Sequence, residues 1–579
     1  MTNINRKFAS TFLLADGWTP IWDVFGNMVE NLLSQVPLLS VGGNHEIAGG
    51  ENWQSYSARY PTNPQDSNSP NLCYHGREVG PMNIISLCSY GAMNYGGLNT
   101  GATSLQYQWL TNYLTTINRI RTPWVMVQFH APMYSTNSFR YMEGEIFRRQ
   151  YEALLYKYGV DIVMNGHVHA YERSFPVYNN TMNPCGAVHL VLGDAGNYKN
   201  ADVPWNMPQK SWSAFREASF GVASLTILSS TTANITWHRH ACGSATGGAP
   251  TYNQNFSSSC VTPGDNSANI AQSVDTVLLT KPSMATCPNR YVSSVPFPSA
   301  GPTVAPYPSN TGYARKALAV DAVDEPSPVD KIRVLFEVAP EETTGEGYRR
   351  LLEPMLQFVP PVVTCPSSQV HLTNGGSGHN SMTVNWVNPS LLSANTVSYG
   401  MDTTMSSTAT GKAQAYTQLL GAQSTNLITP SMGQAGSTAA VMIGLANTST
   451  FAYDHDTGRR WANYNNAYGT KKTPTGQLNF SDPFAFYDSP MIHTTVLSNL
   501  VAGKLYYYKP AGACKTYNFT MTQAVNTYPF KAGLLADLGT TDVSAMSVAV
   551  LIAMNANVIV FTGDLSYGKR NDMIFGVLD

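Results

Sequence analysis

The sequence is short of charge. Asp, Glu, Lys and Arg make up 12% of its 579 residues, about half the usual share. With a net charge of −2, no polyanion-binding surface is expected and nucleic acid is not a partner. No run is long and apolar enough to span a bilayer, so no membrane partner is expected either. The opening stretch, residues 1–14, has only Arg6, Lys7 and a brief apolar segment, too little for a signal peptide. Cys-x-x-Cys pairs are also missing. The eight cysteines (Cys73, Cys88, Cys185, Cys242, Cys260, Cys287, Cys365 and Cys514) are well spaced, which argues against a zinc ribbon. Their pairing is left open by the sequence. Hydrophobic residues reach 43%, enough for real cores, and the length allows two or three domains. Asn-x-Ser/Thr sequons at Asn179, Asn234, Asn255, Asn447, Asn479 and Asn518 point to a secretory route.

Residues 15–241 alternate strand-like apolar runs with helical stretches. Ser104–Arg121 places Leu105, Trp109, Leu110, Leu114 and Ile117 on one helical face, and Ile146–Tyr158 is bounded by Gly159. Such alternation predicts α/β layers. From 242 to 360, Pro, Ser, Thr, Asn and Gly dominate before a more charged stretch. This predicts a largely irregular linker, with a short helix over Tyr348–Phe358. Residues 361–527 read as all-β. Val370–Thr373, Met382–Val387 and Thr494–Leu497 are short strands, and Trp386, Tyr506, Tyr507 and Tyr508 suit a sandwich core. Residues 528–567 return to α/β, with strands over 530–536 and 558–562 around a helix over 544–554.

Metal-donor residues recur where apolar runs end. After Val160–Met164 come Asn165, Gly166, His167, Val168 and His169, a Gly-His-x-His pair on a short loop. Gly43, Asn44, His45 and Glu46 follow Val36–Val41, and His130 follows Trp124–Phe129. Near the far end stand Asp537, Leu538 and Gly539, then Gly563, Asp564, Leu565, Ser566 and Tyr567. In open α/β sheets ligands bind at the carboxyl ends of strands, so the five clusters suggest a dinuclear metal site. Taken singly, each residue has a duller reading. His130 would be a hydrogen-bonded structural histidine, Asn44 a turn residue, Asp537 a helix N-cap and Tyr567 a surface aromatic. Only the set is specific.

Together the clusters resemble the metallophosphoesterases, and specifically the purple acid phosphatases. That family's motifs run Asp-x-Gly, Gly-Asp-x-x-Tyr, Gly-Asn-His-Asp/Glu, a lone His and Gly-His-x-His. His130–Ser135, Tyr141–Glu145, Gly193–Asn197, Phe215–Gly221 and Trp237–Arg239 are similar to the family as well. Ser381, Val384 and Trp386, Ile492–Thr495 and Leu505–Tyr508 resemble the fibronectin-type-III-like domain that precedes the catalytic domain in plant members. The resemblance implies an α/β metallophosphoesterase sandwich of β-sheets flanked by helices, split across the chain. Its larger, C-terminal part would be 15–241 and its N-terminal βαβ part 528–567, with the β-sandwich at 361–527.

Carried over residue by residue, the resemblance implies an Fe(III) held by Asp537, Tyr567 and His169. A divalent ion (Fe, Zn or Mn) would take Asn44, His130 and His167, and Asp564 would bridge the two. Hard carboxylate and phenolate oxygens suit Fe(III), whereas imidazole and amide suit the divalent ion. The implied activity is acid phosphatase action on small phosphate monoesters, in a secreted or vacuolar/lysosomal protein. Phosphodiesterase or phytase activity is the alternative. Where plant members carry histidines that contact phosphate, this chain has Phe139 and Arg140. Arg140 can grip a phosphate oxygen but cannot act as a general acid. Asn44 and His45 would also contact substrate, and His45 becomes the candidate proton donor.

The order of the motifs is cyclically shifted, since the chain starts at the third and ends with the first two. Joining Tyr567 to Ala15, Asp16, Gly17 and Trp18 restores the family pattern, while 1–14 and 568–579 match nothing in it. One explanation is circular permutation, with 242–360 bridging the old termini. The other is a misjoined tandem gene model, favoured because the break falls beside a metal ligand. If 528–567 failed to dock on 15–241 the chain would be inactive, unless a domain-swapped homodimer rebuilt the site in trans.

Overall fold

The computed structural model describes residues 21–46, 53–62, 64–90, 103–197, 201–240, 271–283, 285–288, 365–374, 380–389, 393–419 and 486–566. Helix α1 (Ile21–Leu33) leads to β1 (Leu38–Val41), and α2 (Gln54–Arg59) to the hairpin of β2 (His75–Val79) and β3 (Met82–Ser86). Next come α3 (Leu105–Thr116), β4 (Trp124–Gln128), α4 (Glu145–Lys157), β5 (Ile162–Asn165) and β6 (Tyr171–Ser174). The short pair β7 (Val177–Tyr178) and β8 (Thr181–Met182) precedes β9 (Val188–Leu192), β10 (Ser213–Glu217), β11 (Gly221–Ile227), β12 (Thr232–His240) and β13 (Ala271–Thr280).

An all-β stretch follows: β14 (Ser368–Thr373), β15 (Met382–Asn388), β16 (Thr396–Gly400), β17 (Ser407–Thr410), β18 (Lys412–Gln414), β19 (Thr417–Leu419), β20 (Phe486–Asp488), β21 (Met491–Leu497), β22 (Leu505–Pro510) and β23 (Tyr517–Thr520). The last described elements are β24 (Phe530–Leu535), α5 (Asp542–Met554) and β25 (Val558–Thr562).

Two sheets face each other. One has seven strands in the order β10-β6-β9-β5-β4-β3-β2, and the other ten, β13-β12-β11-β24-β25-β1-β14-β15-β21-β18. Alternate residues of both meet in one core, including Met82, Ile84, Met126, Met164 and Leu190 from the first and Leu225, Ile235, Leu534 and Val560 from the second. Period-2 burial of this kind is what strands demand. The opposite strand faces pack on helices. Phe25 of α1 meets Phe561 of β25 at 6.3 Å, and Phe147 of α4 meets Phe129 at 4.6 Å.

The far end of the chain fills the middle of the larger sheet. β24 pairs antiparallel with β11 from Ala223↔Leu534 to Ile227↔Phe530. β25 pairs parallel with β1 from Leu38↔Ile559 to Val41↔Thr562. Residues 528–566 therefore dock on the 21–240 part within one chain. α5 starts with Thr541 accepting from Ser544 N and Ser544 accepting from Thr541 N, a reciprocal cap.

Within 361–527, β14, β15, β21 and β18 form the end of the larger sheet, and β17-β16-β22-β23 form a separate four-stranded sheet. Val370, Leu372, Val384, Trp386 and Leu497 from the first meet Val397, Tyr506, Tyr508 and Phe519 from the second in a core of their own. The Cys365–Cys514 disulfide ties the start of this sandwich to the turn between β22 and β23.

The expectation of a largely irregular linker over 242–360 fails at 271–280. These residues form β13, paired antiparallel with β12 from Thr232↔Thr280 to His240↔Ala271. Buried Asp275 on β13 takes both Arg173 Nε (2.7 Å) and Nη2 (2.9 Å) and the Tyr171 hydroxyl. Cys287, just beyond, is bonded to Cys185. A strand pattern was present in Val274-Asp275-Thr276-Val277-Leu278, but its neighbours are rich in Pro, Ser and Asn. The helix expected over Tyr348–Phe358, residues 1–14 and 568–579, Ala15–Trp18 and Tyr567 lie outside the described residues. No helix among the described residues is long and apolar enough to cross a membrane.

Candidate metal centre

In the smaller sheet β3, β4, β5 and β9 run parallel, and in the larger one β24, β25 and β1 do. Parallel strands end on the same edge, so the loops after β1, β4, β5, β24 and β25 converge. They carry Asn44 and His45, His130, His167 and His169, Asp537, and Asp564. His167, Asp537 and Asp564 all adopt positive φ (69°, 54° and 53°). Left-handed backbone costs a non-glycine residue roughly 1–2 kcal/mol, a strain that recurs at functional sites. Close approach also needs glycine: a Cβ on Gly43 would collide with the Asp564 carboxylate, and one on Gly166 would stand 2.5 Å from Asp537 Oδ2.

The side chains meet across hundreds of residues of sequence. His130 Nε2 lies 3.1 Å from Asp564 Oδ2 and 3.7 Å from Asp537 Oδ1. His169 Nε2 is 3.5 Å from Asp537 Oδ1, and His45 Nε2 is 3.7 Å from Asp564 Oδ2. His167 N donates to Asp537 Oδ2 (2.7 Å) and His45 N to Asp564 Oδ1 (2.9 Å). Asn44 Oδ1 sits 2.9 Å from His167 Nδ1. Asp537 and His130 are fully buried, and Asp564 is 1% exposed. Of the residues expected at the site, Arg140 is partly exposed, its side chain 25% accessible. Its Nη1 is 3.5 Å from Glu143 Oε2, and Glu143 Oε1 in turn is 3.0 Å from His167 Nε2.

Three further residues had no assigned role in the sequence. Glu46 is 1% exposed and accepts from Gly43 N, Asp564 N and Leu565 N, so one carboxylate clamps the β1 loop to the β25 loop. The Tyr90 hydroxyl donates to Asn44 Oδ1 at 3.0 Å. Glu143 faces His167. Glu46 and Glu143 lay inside motifs that mark the site, whereas nothing around Tyr90 signalled a polar task beyond its place after the apolar strand β3.

Without a cation the centre is electrostatically frustrated. Burial pushes Asp537 up to about 7, with Asp564 adding to that against the pull of His130. Burial and Asp564 push Glu46 up to about 7 as well. Asp564, in spite of its burial, is held well below the usual carboxylate range by His130 and His45. Burial opposes charge on His130, but Asp564 and Asp537 outweigh it and lift the imidazole to about 10. A metal ion would take the place of those protons. One donor atom each from His130, His167 and Asp564 fall within 4.8 Å of one another. The buried Nε2 atoms of His130 and His167 have no hydrogen-bond partner, although carboxylate oxygens stand 3.0–3.1 Å away. Imidazoles and carboxylates that face each other without hydrogen-bond alignment fit ligands around a cation at about 2.0–2.2 Å.

Comparison with known proteins places the class first. Residues 11–171 match the calcineurin-like phosphoesterase profile, which makes this α/β part a metallophosphoesterase domain. Residues 186–246 match the profile described as iron/zinc purple acid phosphatase-like protein C. Arabidopsis thaliana purple acid phosphatase 22 is 38% identical over 251 residues, covering 42% of this chain and 56% of its own. Purple acid phosphatase 18 of the same plant is 40% identical over 223 residues (38% and 49%). Purple acid phosphatase 1 of Ipomoea batatas is 36% identical over 242 residues (39% and 50%). The chain thus resembles the purple acid phosphatases, and spans about half the length of the curated relatives it matches.

Proposed function

We propose that this chain is a phosphoesterase that hydrolyses phosphate monoesters at a dinuclear metal centre. The observation that carries the reading is the convergence of Asn44, His130, His167, His169, Asp537 and Asp564, drawn from both ends of the sequence, on one buried edge. In this reading Asp537, His169 and Tyr567 would hold Fe(III), Asn44, His130 and His167 would hold a divalent Fe, Zn or Mn ion, and Asp564 would be shared between the two. Bound there, the metals would supply Lewis acidity and activate water as a nucleophile at low pH.

The chain's own residues do the rest. Glu46 keeps the Asn44–His45 loop against the Asp564 loop, and so sets the bridging carboxylate. Tyr90 orients the Asn44 amide through its oxygen. His45, beside Asp564 and 5% exposed, contacts the ester and protonates the leaving oxygen. Arg140, itself paired with Glu143, holds a substrate oxygen at the rim. The 361–527 sandwich we read as fibronectin-type-III-like, the antiparallel strands of its described residues and their Trp386 core supporting this. Two disulfides among the described residues support folding in an oxidising compartment, hence a secreted or vacuolar/lysosomal protein.

The test is metal content and monoester hydrolysis on the purified chain. Two metals per chain, iron among them, with turnover of a monoester, is the expected result. One metal or none, with no hydrolysis, would overturn it.

A further inference from the structure

Cys73 and Cys88 are unbonded, buried thiols in the same hydrophobic core, and belong to neither of the two disulfides among the described residues. The β2–β3 hairpin pairs antiparallel with His75↔Ser86, Gly76↔Ile85 and Arg77↔Ile84 in register. Extending that register by two residues sets Cys73 directly opposite Cys88. Neither backbone stays on the ladder there. Cys73 N donates to Asn71 Oδ1 (2.9 Å). Cys88 N donates to Gln106 Oε1 (2.8 Å), and Cys88 O accepts from Gln106 Nε2 (3.0 Å). Directly opposed residues of an antiparallel pair have Cα atoms about 4.5–5.5 Å apart. That is inside the range of about 4.4–6.8 Å that a disulfide needs. Both side chains lie in one buried cluster, and the neighbouring Cys88 thiol, then burial, holds the Cys73 thiol well above its usual range.

We propose that Cys73 and Cys88 are joined by a further disulfide, a cross-strand bond that closes the open end of the β2–β3 hairpin. The oxidant is a disulfide such as glutathione disulfide. The thiolate of one cysteine attacks it, releasing one glutathione thiolate, and the second cysteine displaces the other. One Sγ–Sγ bond forms, one S–S bond breaks, and the two protons leave with the two released thiols. Because the thiolate is the nucleophile, burial slows exchange once the core has closed. The bond therefore forms during folding and resists mild reductant afterwards. Cys88 lies two residues before Tyr90, so the bond also steadies the segment that delivers the Tyr90 hydroxyl to Asn44. Only this last consequence rests on the proposed function.

The experiment is peptide mapping of the full chain, refolded in a glutathione redox buffer. Free thiols are alkylated in denaturant and digestion proceeds without reduction. The expected product is a Cys73–Cys88 linked peptide pair, two hydrogens lighter than its parts. Both cysteines recovered alkylated would overturn the proposal. Cys73→Ser, Cys88→Ser and the double variant give a second readout. A bond predicts that either single variant leaves the other cysteine alkylatable, and that the double melts no lower than the singles. Additive losses of melting temperature would sink it. Neither readout depends on metal content or hydrolysis, so the bond and the catalytic reading can fail separately.

Discussion

The α/β core and the β14–β23 sandwich both bury two sheet faces against each other, yet they treat polar groups differently. In the core, parallel runs such as β24-β25-β1 and β3-β4-β5 deliver loop residues to one edge. In the sandwich β14, β15 and β21 run antiparallel, so strand ends alternate between edges and no donor set gathers among the described residues. The sandwich's central Trp386 instead stacks on His493, with ring centroids 4.7 Å apart and planes 8° from parallel. Strand direction decides whether a layered fold can concentrate charge, whereas burial alone stabilises both regions.

Trp386→Ala should break the sandwich side of this comparison hardest. The ring is fully buried, and its loss should cost about 3–5 kcal/mol in urea unfolding, with the turnover of the remaining folded molecules unchanged. On the other side, Asp564→Ala should lower monoester hydrolysis by roughly a hundredfold or more and reduce metal content, while the circular dichroism spectrum stays native. Retained activity would mean that the parallel-strand edge is not the active site.

A subtler change sharpens the same point. Glu46→Gln keeps the volume but replaces an acceptor carboxylate with one oxygen and one NH₂. Hydrogen bonds to a charged group are worth about 1.5–3 kcal/mol, so loosening of the Asp564 loop should appear as lower melting temperature together with weaker metal binding. A normal metal affinity would show that the clamp is structural only.

The most gradual effect is an acid slope. Burial, then Arg148, lowers His189 to about 3, and burial lowers His75 to about 4. Each stays neutral when folded but binds a proton at its ordinary pKa when unfolded. Their contribution is complete above about pH 6.5 and is lost as pH falls toward 4. Each accounts for up to about 1.4 kcal/mol per pH unit. Urea midpoints measured between pH 7 and pH 4 should fall, and His189→Gln should make that fall shallower.

Much of the framework was legible locally. Helices α3 and α4 and strands β4, β5 and β25 follow from apolar periodicity within a few residues of where they stand, and Ser104 caps α3 by accepting from Tyr107 N. β13 was not legible, because its alternation is short and its stabilising contact is Asp275 with Arg173, about a hundred residues away. Tyr90 was missed for a similar reason: a tyrosine after a strand acquires a polar role only when Asn44 arrives beside it.

What the sequence by itself determined was chemistry: which residues can donate to a metal, and that each stands where a strand ends. The spacing of Gly166, His167 and His169, and of Gly563 and Asp564, needs no partner to be read. Only the tertiary structure decided that Asp537 and Asp564 meet His130 and His167, that Glu46 joins the two loops, and that Cys73 and Cys88 share one core. Those outcomes depend on strand order and register, which are set by hydrogen bonds and shared apolar cores between segments far apart in the chain, and local periodicity carries no information about them.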